Sequence, residues 1–319
     1  MSGPRSASRR ARGAARAASP SSQWLVTGAG GMLGQDVVAR LAADPSVSLT
    51  AALRTDLDIT DRDAVAAAVT GHDVVVNCAA WTDVDRAETH EEAATALNGG
   101  AVRNLAEACA TTNTRLIQIS TDYVFAGDRT SPYPEDAPTA PINAYGRSKL
   151  AGEHAVLEYL PDTGYVVRTA WLYGAHGKNF VATMLKAAET RDHLDVVDDQ
   201  HGQPTWTGAL ATHIVALGRQ ALGGSAPAGI YHGTATGQTT WHGLARAAFE
   251  QRGLDPERVR PTTSAAFVRP APRPAYSVLG HDNWTKAGLE PMSDWHETLN
   301  TALKGCPGDF KQVGASRVR

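Results

Sequence analysis

Tyr145 and Lys149 have the residue types and the spacing that proton transfer to a carbonyl group requires. Residues four apart in a helix lie on one face, so the phenol and the ammonium group point the same way. Tyrosine ionises near pH ~10, and a neighbouring Lys⁺ lowers that pKa by stabilising the phenolate. Tyr145 can then give a proton to a carbonyl oxygen as a hydride reaches its carbon, while Lys149 can also hold a nicotinamide ribose.

The segment before this predicted helix is a short apolar strand that ends in Ser120 and Thr121. Ligands bind outside the carboxyl ends of parallel strands, so the Thr121 hydroxyl can hydrogen-bond the same carbonyl oxygen. A Tyr-x-x-x-Lys spacing alone is more often an exposed surface pair. The strand and the helix together favour a catalytic set of Thr121, Tyr145 and Lys149.

A glycine-rich turn follows the first apolar run, with Gly28, Gly31 and Gly34 in the spacing GxxGxxG. Gly28 allows the tight turn, Gly31 lets the backbone approach a pyrophosphate, and Gly34 allows a helix to pack closely on a strand. The phosphates would lie at the start of the next helix, at Met32 and Leu33, where free N–H groups favour anions. This strand, turn and helix predict a dinucleotide site for NADPH or NADH.

The adenosine end of this site is less clearly marked, because the second strand ends without the acid that many dinucleotide sites use. Arg54 stands there, and it is either a partner for the 2′-phosphate of NADPH or a solvated side chain. Asp58 and Ile59 are candidates to flank the adenine. Asp56 and Asp58 serve equally well as turn and helix-cap residues.

Short apolar strands alternate with helices along the first half of the chain. The predicted strands are 23–27, 48–53, 73–77, 115–119 and 165–168, and the predicted helices are 32–43, 61–69, 91–111, 143–159, 179–189, 208–222, 241–251 and 295–303. This alternation indicates an α/β fold, a Rossmann-type doubly wound parallel sheet with a smaller, interleaved substrate-binding lobe. Residues 256–274, rich in Pro and Arg, are expected to form an extended loop.

The predicted organisation has a nicotinamide-cofactor domain and a substrate lobe that share the chain. The cofactor domain spans 23–170, with 205–232 returning to it, and the lobe consists of 171–204 and 233–304. Residues 1–22 and 305–319 are expected to be tails. The first of these has five Arg and no acid. It is interpreted as a disordered segment or a mis-assigned start, with a transit peptide or a nucleic-acid arm as lesser alternatives.

Charge and cysteine content exclude several classes of protein. The net charge of the 319 residues is −3, and without residues 1–22 it is 25 bases against 33 acids, or −8. Such an acidic body argues against binding a nucleic-acid backbone. No apolar run is long enough to span a bilayer, so no membrane partner is expected. Cys78, Cys109 and Cys306 form no disulfide framework, which favours the reducing cytoplasm.

Several motifs together resemble one family, the dTDP-4-dehydrorhamnose reductases of the extended short-chain dehydrogenases. The resemblance runs from about residue 24 to about residue 295. It rests on VNCAAWTDVDRAE (76–88), STDYVFAG (120–127), NAYGRSKLAGE (143–153), RTAWLYG (168–174), KNF (178–180), DDQ and GQPT (198–200 and 202–205) and RPAPRPAYS (269–277). The STDYVF and DDQxGxPT strings are fairly specific as a set.

The resemblance implies hydride transfer to C4 of dTDP-4-dehydro-L-rhamnose, giving dTDP-L-rhamnose. It implies that Thr121, Tyr145 and Lys149 are catalytic, and that Asp122 and Trp171 contact the substrate together with Thr121 and Tyr145. It also implies that the cofactor is lined by Ala79, Ala80 and Thr82. Without the resemblance, Trp171 would more often be a core aromatic than a platform for the sugar.

Two points leave alternatives open. Some family members dimerise around a bound Mg²⁺, but WTGAL at 206–210 supplies no carboxylate, so no metal is expected and the chain is either a monomer or a homodimer. The chain is alternatively a 4-ketoreductase for another dTDP-deoxysugar, or a regulatory subunit that binds the nucleotide without turnover. The last idea predicts a degraded catalytic set, whereas Thr121, Tyr145 and Lys149 are all present.

Overall fold

The computed structural model describes residues 21–305. Both predicted tails lie outside these residues, apart from Ser21, Ser22 and Gly305. Ser22 already belongs to the first strand, and Gly305 ends the last helix, so these two elements are slightly longer than the sequence indicated.

Fourteen short strands and eleven α-helices make up the described part of the chain. The strands are β1 Ser22–Thr27, β2 Val47–Ala52, β3 Val74–Asn77, β4 Arg115–Thr121, β5 Gly164–Thr169, β6 Leu172–Tyr173, β7 Leu194–Val197, β8 His201–Gly202, β9 Thr205–Trp206, β10 Gly229–His232, β11 Ala235–Thr236, β12 Thr239–Thr240, β13 Val259–Thr262 and β14 Met292–Asp294. The helices are α1 Met32–Ala42, α2 Arg62–Val69, α3 Val84–Ala87, α4 Glu91–Thr95, α5 Ala101–Thr112, α6 Ala144–Tyr159, α7 Phe180–Ala187, α8 Thr207–Leu222, α9 Trp241–Gln251, α10 Asp282–Lys286 and α11 Trp295–Gly305.

The main sheet has six strands in the order β10-β5-β4-β3-β1-β2, and every neighbouring pair in it is parallel. This confirms the predicted α/β class with a parallel sheet. The chain moves outward from β1 to β2 and then returns to the other side of β1 as β3. Open sheets of this kind bind ligands where the strand order reverses, at the carboxyl ends of β1 and β3.

Side chains of the central strands alternate between two cores because successive residues of a strand face opposite sides of the sheet. Trp24 and Val26 pack with α1 and α8 on one face, whereas Leu25 and Val75 pack with α2, α5 and α6 on the other. Both faces of the sheet are therefore covered, as the uninterrupted β-branched run of β3 requires. A smaller lobe has its own core between α7, α9 and α11 and the β7–β13 pair.

Seven of the eight predicted helices agree with observed ones to within two residues at each end. The prediction of one regular helix over 91–111 is wrong, because a π-helical turn, Ala96–Gly100, separates α4 from α5. Within this turn Asn98 is 1% exposed. Its amide accepts from the backbone N–H of Trp81 at 2.8 Å and donates to the Trp81 carbonyl at 3.1 Å. Turns of this type are frequent at functional sites.

The prediction of an extended loop over 256–274 is also wrong in part. Residues 259–262 form β13, which pairs in parallel with β7, after a short 3₁₀ turn at Pro256–Arg258. The Arg258 guanidinium donates to three backbone carbonyls, those of Ala188, Arg191 and Asp192. Pro261 is tolerated because β13 lies at the edge of a two-stranded pair.

Candidate active site

A chain of buried polar side chains links the carboxyl ends of three central strands. Thr27 Oγ1 at the end of β1 donates to Asn77 Oδ1 at 2.6 Å, and Asn77 Nδ2 at the end of β3 donates to Gln118 Oε1 of β4 at 2.7 Å. The three residues are at most 2% exposed. Because buried polar groups must be paired, this chain fixes the strand ends relative to one another.

The glycine-rich turn continues from β1 at this edge of the sheet. Gly28 has φ +64°, and a Cβ there would lie 2.5 Å from the backbone nitrogen of Ala79. A Cβ on Gly34 would lie 2.3 Å from the carbonyl oxygen of Gly28, so only glycine lets α1 start so close to β1. Gly31 caps α1 with no side-chain hydrogen bond, which leaves the first N–H groups of the helix for an anion. These features fit the pyrophosphate of a dinucleotide.

In the segment between β2 and α2, Asp58 has a local structural role as well as a place in the cleft. Its Oδ1 accepts from the backbone N–H of Thr60 at 2.9 Å and from the Thr60 hydroxyl at 2.7 Å. These two hydrogen bonds, and to a lesser degree the charge of Arg54, hold the pKa of Asp58 below its usual range. Asp56 likewise accepts from the backbone N–H of Leu53 at 3.0 Å. The exposed guanidinium of Arg54 lines the cleft at this end.

The catalytic candidates meet at the end of β4. Asn143 caps α6 by accepting from the backbone N–H of Gly146 at 2.8 Å, which places Tyr145 in the first turn of the helix. Tyr145 and Thr121 line the same cleft, and the Thr121 side chain acts on the pKa of Tyr145. Lys149 Nζ, one turn further along α6, donates to the carbonyl of Ile119 at 2.6 Å. Two elements distant in sequence thus bring the three predicted side chains together.

Asp122 lies next to this set and is 3% exposed. The Thr121 hydroxyl donates to its Oδ1 at 2.9 Å. Burial raises the pKa of Asp122 from its ordinary value to about 6, against the opposing effect of hydrogen bonds from Ser277, Thr121 and the Tyr123 backbone. The structure therefore places Asp122, a carboxyl group of raised pKa, directly after Thr121 in the site that holds the candidate proton donor Tyr145.

The pKa of Tyr145 is raised, first by burial and second by the charge of Asp122, and the nearby Thr121 side chain opposes the shift. The expectation that Lys149 lowers this pKa is wrong, since burial dominates and Lys149 Nζ is committed to the Ile119 carbonyl. A raised pKa keeps the phenol protonated, which suits a residue that gives a proton away. Burial lowers the pKa of Lys149 to about 8, although the charge of Glu153 acts in the opposite direction.

Every site residue predicted from the sequence lines one cleft of about 1040 Å³. Those predicted to bind the cofactor are Gly28, Gly31, Met32, Leu33, Gly34, Asp58, Ile59, Ala79, Ala80, Thr82, Tyr145 and Lys149, and those predicted to contact the substrate are Thr121, Asp122, Tyr145 and Trp171. The cleft runs from Arg54 past the glycine-rich turn and the ends of β3 and β4 to Trp171. The cleft is therefore continuous between the residues predicted to bind the cofactor and those predicted to contact the substrate.

Comparison with known proteins agrees with this arrangement. The family described as "RmlD substrate binding domain" matches residues 22–306. A protein of Streptomyces griseus named dTDP-4-dehydrorhamnose reductase is 55% identical over 291 residues, which cover 91% of this chain and 95% of that protein. The chain belongs to the dTDP-4-dehydrorhamnose reductase family.

Two further members of this reductase family are informative. A Streptomyces niveus protein named dTDP-4-keto-6-deoxy-D-glucose reductase is 52% identical over 285 residues, covering 88% of this chain and 96% of that protein. A crystal structure of dTDP-4-dehydrorhamnose reductase from Bacillus anthracis in complex with NADP superposes with a TM-score of 0.84 at 35% identity, over 89% of this chain and 99% of that chain.

Sequence reasoning missed several residues that line the cleft of this reductase. They include Leu57, Asn77, Cys78, Trp81, Leu97, Lys178, Leu172 and Trp241. Trp81 stands between predicted residues, so its neighbours could have indicated it. Trp241 had no such signal, because it opens a helix far along the chain and reaches the cleft only through tertiary packing.

Trp171 occupies an unusual backbone position in this reductase, with φ +47°. Such a conformation is rare for a bulky residue and persists only where the surroundings impose it, most often at functional sites. The side chain of Trp171 is half-buried and lines the same cleft as Asp122 and Thr121. This half-buried position suits both roles considered for Trp171, a core aromatic and a platform for the sugar, since part of the side chain remains accessible.

Two classes of feature are absent from residues 21–305. No group of three or more His, Cys, Asp or Glu side chains in this range could hold a metal ion. None of the helices in the same range is long and apolar enough to cross a bilayer.

Proposed function

We propose that the chain catalyses the NADPH- or NADH-dependent reduction of the C4 keto group of dTDP-4-dehydro-L-rhamnose to dTDP-L-rhamnose. The observation that carries this proposal is that Tyr145, Thr121 and Lys149 line the same cleft as the glycine-rich turn. A protonated phenol and a second hydroxyl at one point can both bind a carbonyl oxygen. The family membership supports the same reaction.

NADPH or NADH supplies the hydride. We propose that the N-terminus of α1, with Gly28, Gly31, Met32 and Leu33, binds the cofactor's pyrophosphate. Ala79, Ala80 and Thr82 line the middle of the cofactor, and Asp58 and Ile59 flank the adenine. The Bacillus anthracis relative was crystallised in complex with NADP, which supports a nicotinamide cofactor for this chain.

In the proposed mechanism Tyr145 gives its proton to the C4 oxygen, and Thr121 hydrogen-bonds the same oxygen. Burial keeps Tyr145 protonated until the developing alkoxide removes the proton. Lys149 holds the nicotinamide ribose with its ammonium group. In the structure Thr121 gives its one hydroxyl proton to Asp122, so on substrate binding that hydroxyl rotates to donate to the C4 oxygen instead.

The sugar nucleotide would lie between the two parts of the chain. We propose that residues 23–170, with 205–232, bind the cofactor and that 171–204 and 233–304 form the substrate lobe. Strand β10, which joins the main sheet beside β5, supports this division. Trp171 would pack on the sugar ring, since aromatic faces bind the apolar faces of sugars and Trp171 lines the same cleft as the catalytic hydroxyls. As part of the same proposal, the reaction takes place in the cytoplasm.

A related 4-ketoreductase acting on another dTDP-deoxysugar is a second candidate function. The specific observation in its favour is that two relatives, nearly as similar in sequence as the Streptomyces griseus reductase, are named for other dTDP-sugar substrates. One is the Streptomyces niveus reductase at 52%, and the other, at 53%, is a probable dTDP-4,6-dihydroxy-2-methyloxan-3-one 4-ketoreductase of Streptomyces antibioticus. Both candidates use the same catalytic set, and only the substrate lobe would differ.

The deciding experiment is NADPH oxidation, followed by absorbance, with dTDP-4-dehydro-L-rhamnose as substrate and the product identified by NMR. We expect turnover and dTDP-L-rhamnose. No turnover with this sugar, but turnover with another member of a panel of dTDP-4-keto sugars, would establish the second candidate. NADPH binding without turnover on any of the panel would contradict both and favour a non-catalytic subunit.

A further inference from the structure

A buried ion pair lies behind the catalytic lysine. Glu153 of α6 and Arg168 of β5 are 1% and 2% exposed. Arg168 Nη2 donates to Glu153 Oε2 at 2.7 Å, and Arg168 Nε donates to Oε1 at 2.9 Å. Removing two charges from water costs several kcal/mol per ion, so such a pair contributes little to net stability. Its position therefore calls for a role other than stabilisation.

The same carboxylate binds the strand that carries a catalytic residue. The Ser120 hydroxyl donates to Glu153 Oε1 at 2.5 Å. Ser120 is 3% exposed and is followed directly by Thr121 at the end of β4. Glu153 thus holds the end of β4 between α6 and β5, directly before Thr121.

Glu153 also acts on Lys149 through its charge. Tyr145, Lys149 and Glu153 are successive residues at a spacing of four on α6, so they share one face of the helix. The charge of Glu153 favours the protonated form of Lys149, whereas burial disfavours it and brings the pKa to about 8. Two other ionisable groups bear on this balance. Cys78 from the end of β3 acts on Lys149 directly, and Arg168 from β5 is bound to Glu153.

We propose that Glu153 is a positioning residue of the reaction: anchored by Arg168, it keeps Lys149 protonated and, through Ser120, fixes the strand end that carries Thr121. The inference rests on the proposed function, because it takes Lys149 and Thr121 as parts of the catalytic set. It adds the ion pair of Glu153 and Arg168 to the residues on which the rate depends.

The direct test follows the ionisation of Lys149 without any assay of activity. The sequence holds six lysines, so protein labelled with ¹³C at lysine Cε gives few NMR signals, and Lys149→Arg identifies the one required. We expect this signal to titrate in wild-type protein with a midpoint near 8. In Glu153→Gln the midpoint should fall by about one pH unit, the lower end of what a neighbouring charge produces. An unchanged midpoint would overturn the electrostatic part of the inference.

Two control variants separate charge from geometry. Glu158→Gln removes a carboxylate from the exposed side of α6 and should leave the midpoint unchanged. Ser120→Ala removes a hydrogen bond but no charge, so it should lower kcat and leave the midpoint in place. A wild-type kcat in Ser120→Ala would contradict the part of the inference in which Glu153, through Ser120, positions Thr121.

A variant that leaves Arg168 buried without its partner can fail to fold. The double variant Glu153→Gln with Arg168→Met removes both charges at similar volume and should fold, because such replacements of buried pairs are often neutral. Its Lys149 midpoint should lie below that of wild type but above that of Glu153→Gln, because the positive charge of Arg168 is lost together with the negative charge of Glu153. A wild-type midpoint in it would contradict the inference.

The pH dependence of kcat then tests whether the protonation of Lys149 governs the rate. The high-pH limb of kcat should move with the Lys149 midpoint, so that Glu153→Gln is about tenfold slower above both midpoints. A limb that stays in place while the NMR midpoint moves would show that Lys149 protonation does not govern the rate. Wild-type protein without turnover on any dTDP-4-keto sugar would overturn the proposed function, while the NMR midpoints would still decide whether Glu153 controls Lys149.

Discussion

The rings of Trp171 and Trp241 are stacked face to face, with their centroids 3.7 Å apart and their planes inclined by 10°. Trp241 is held in turn by Phe180, at 4.7 Å between centroids, and by a hydrogen bond from its Nε1 to Gln200 Oε1 at 3.1 Å. The stack joins the segment after β5 to the start of α9. It accounts for how a tryptophan with positive φ keeps one orientation at the edge of the cleft.

The first prediction concerns this stack. Trp241→Ala should raise KM for the sugar nucleotide by about 2–10-fold, because an aromatic pair contributes about 0.5–1.5 kcal/mol and holds Trp171 in place. Binding of NADPH should change little. Steady-state kinetics and cofactor titration by fluorescence measure the two effects, with Trp241→Phe as the variant that keeps an aromatic ring. An unchanged KM would show that the orientation of Trp171 does not depend on Trp241.

The second prediction concerns the proton donor. Tyr145→Phe should lower kcat by about 10²–10⁴-fold, the usual contribution of one general acid, and leave the Kd of NADPH close to the wild-type value. Tyr159→Phe, a change of the same kind on the same helix, is the control and should be near wild type. A Tyr145→Phe enzyme of nearly normal kcat would remove Tyr145 from the mechanism.

The third prediction concerns the choice between NADPH and NADH. Arg54 is exposed in the cleft at the end of β2, so Arg54→Ala should weaken NADPH about 10–100-fold and NADH hardly at all, as expected for a charge-assisted hydrogen bond to a 2′-phosphate. The ratio of kcat/KM for the two cofactors is the measurement. Arg62→Ala, an exposed arginine of α2, serves as the control. Equal losses for both cofactors would assign Arg54 to a role unrelated to the 2′-phosphate.

The fourth prediction compares two glycines that lie in or beside helices. Gly34→Ala should lower the free energy of unfolding by about 1–3 kcal/mol, since its Cβ would lie 2.3 Å from the Gly28 carbonyl oxygen. NADPH binding should weaken as the turn moves. Gly100→Ala meets no atom within 4 Å and should be neutral or slightly stabilising. Urea unfolding and cofactor titration check both, and equal stability of the two variants would contradict the close contact of α1 with β1.

Local patterns were enough to predict most helices and five of the six strands of the main sheet, whereas β10 was expected only as part of a segment that returns to the cofactor domain. The β-branched run of β3 and the spacing of apolar residues in α1 are signals that each segment carries by itself. The glycine spacing, the Tyr-x-x-x-Lys pair and the hydroxyls at the end of β4 likewise indicated residues that the structure brings into one cleft. Where such a signal was absent or too short, the prediction failed, as it did for β13 and for the π-helical turn at Ala96–Gly100.

The sequence by itself determined the fold class, the family and the residue types available for a reduction. Only the tertiary structure decided which charges surround those residues. The pKa of Tyr145 rises because the site is buried beside Asp122, and Lys149 shares its helix face with a carboxylate fixed by Arg168 from another strand. The partner of Trp171 is likewise known only from the fold. Burial and long-range pairing depend on how distant segments pack, and no local pattern records that packing.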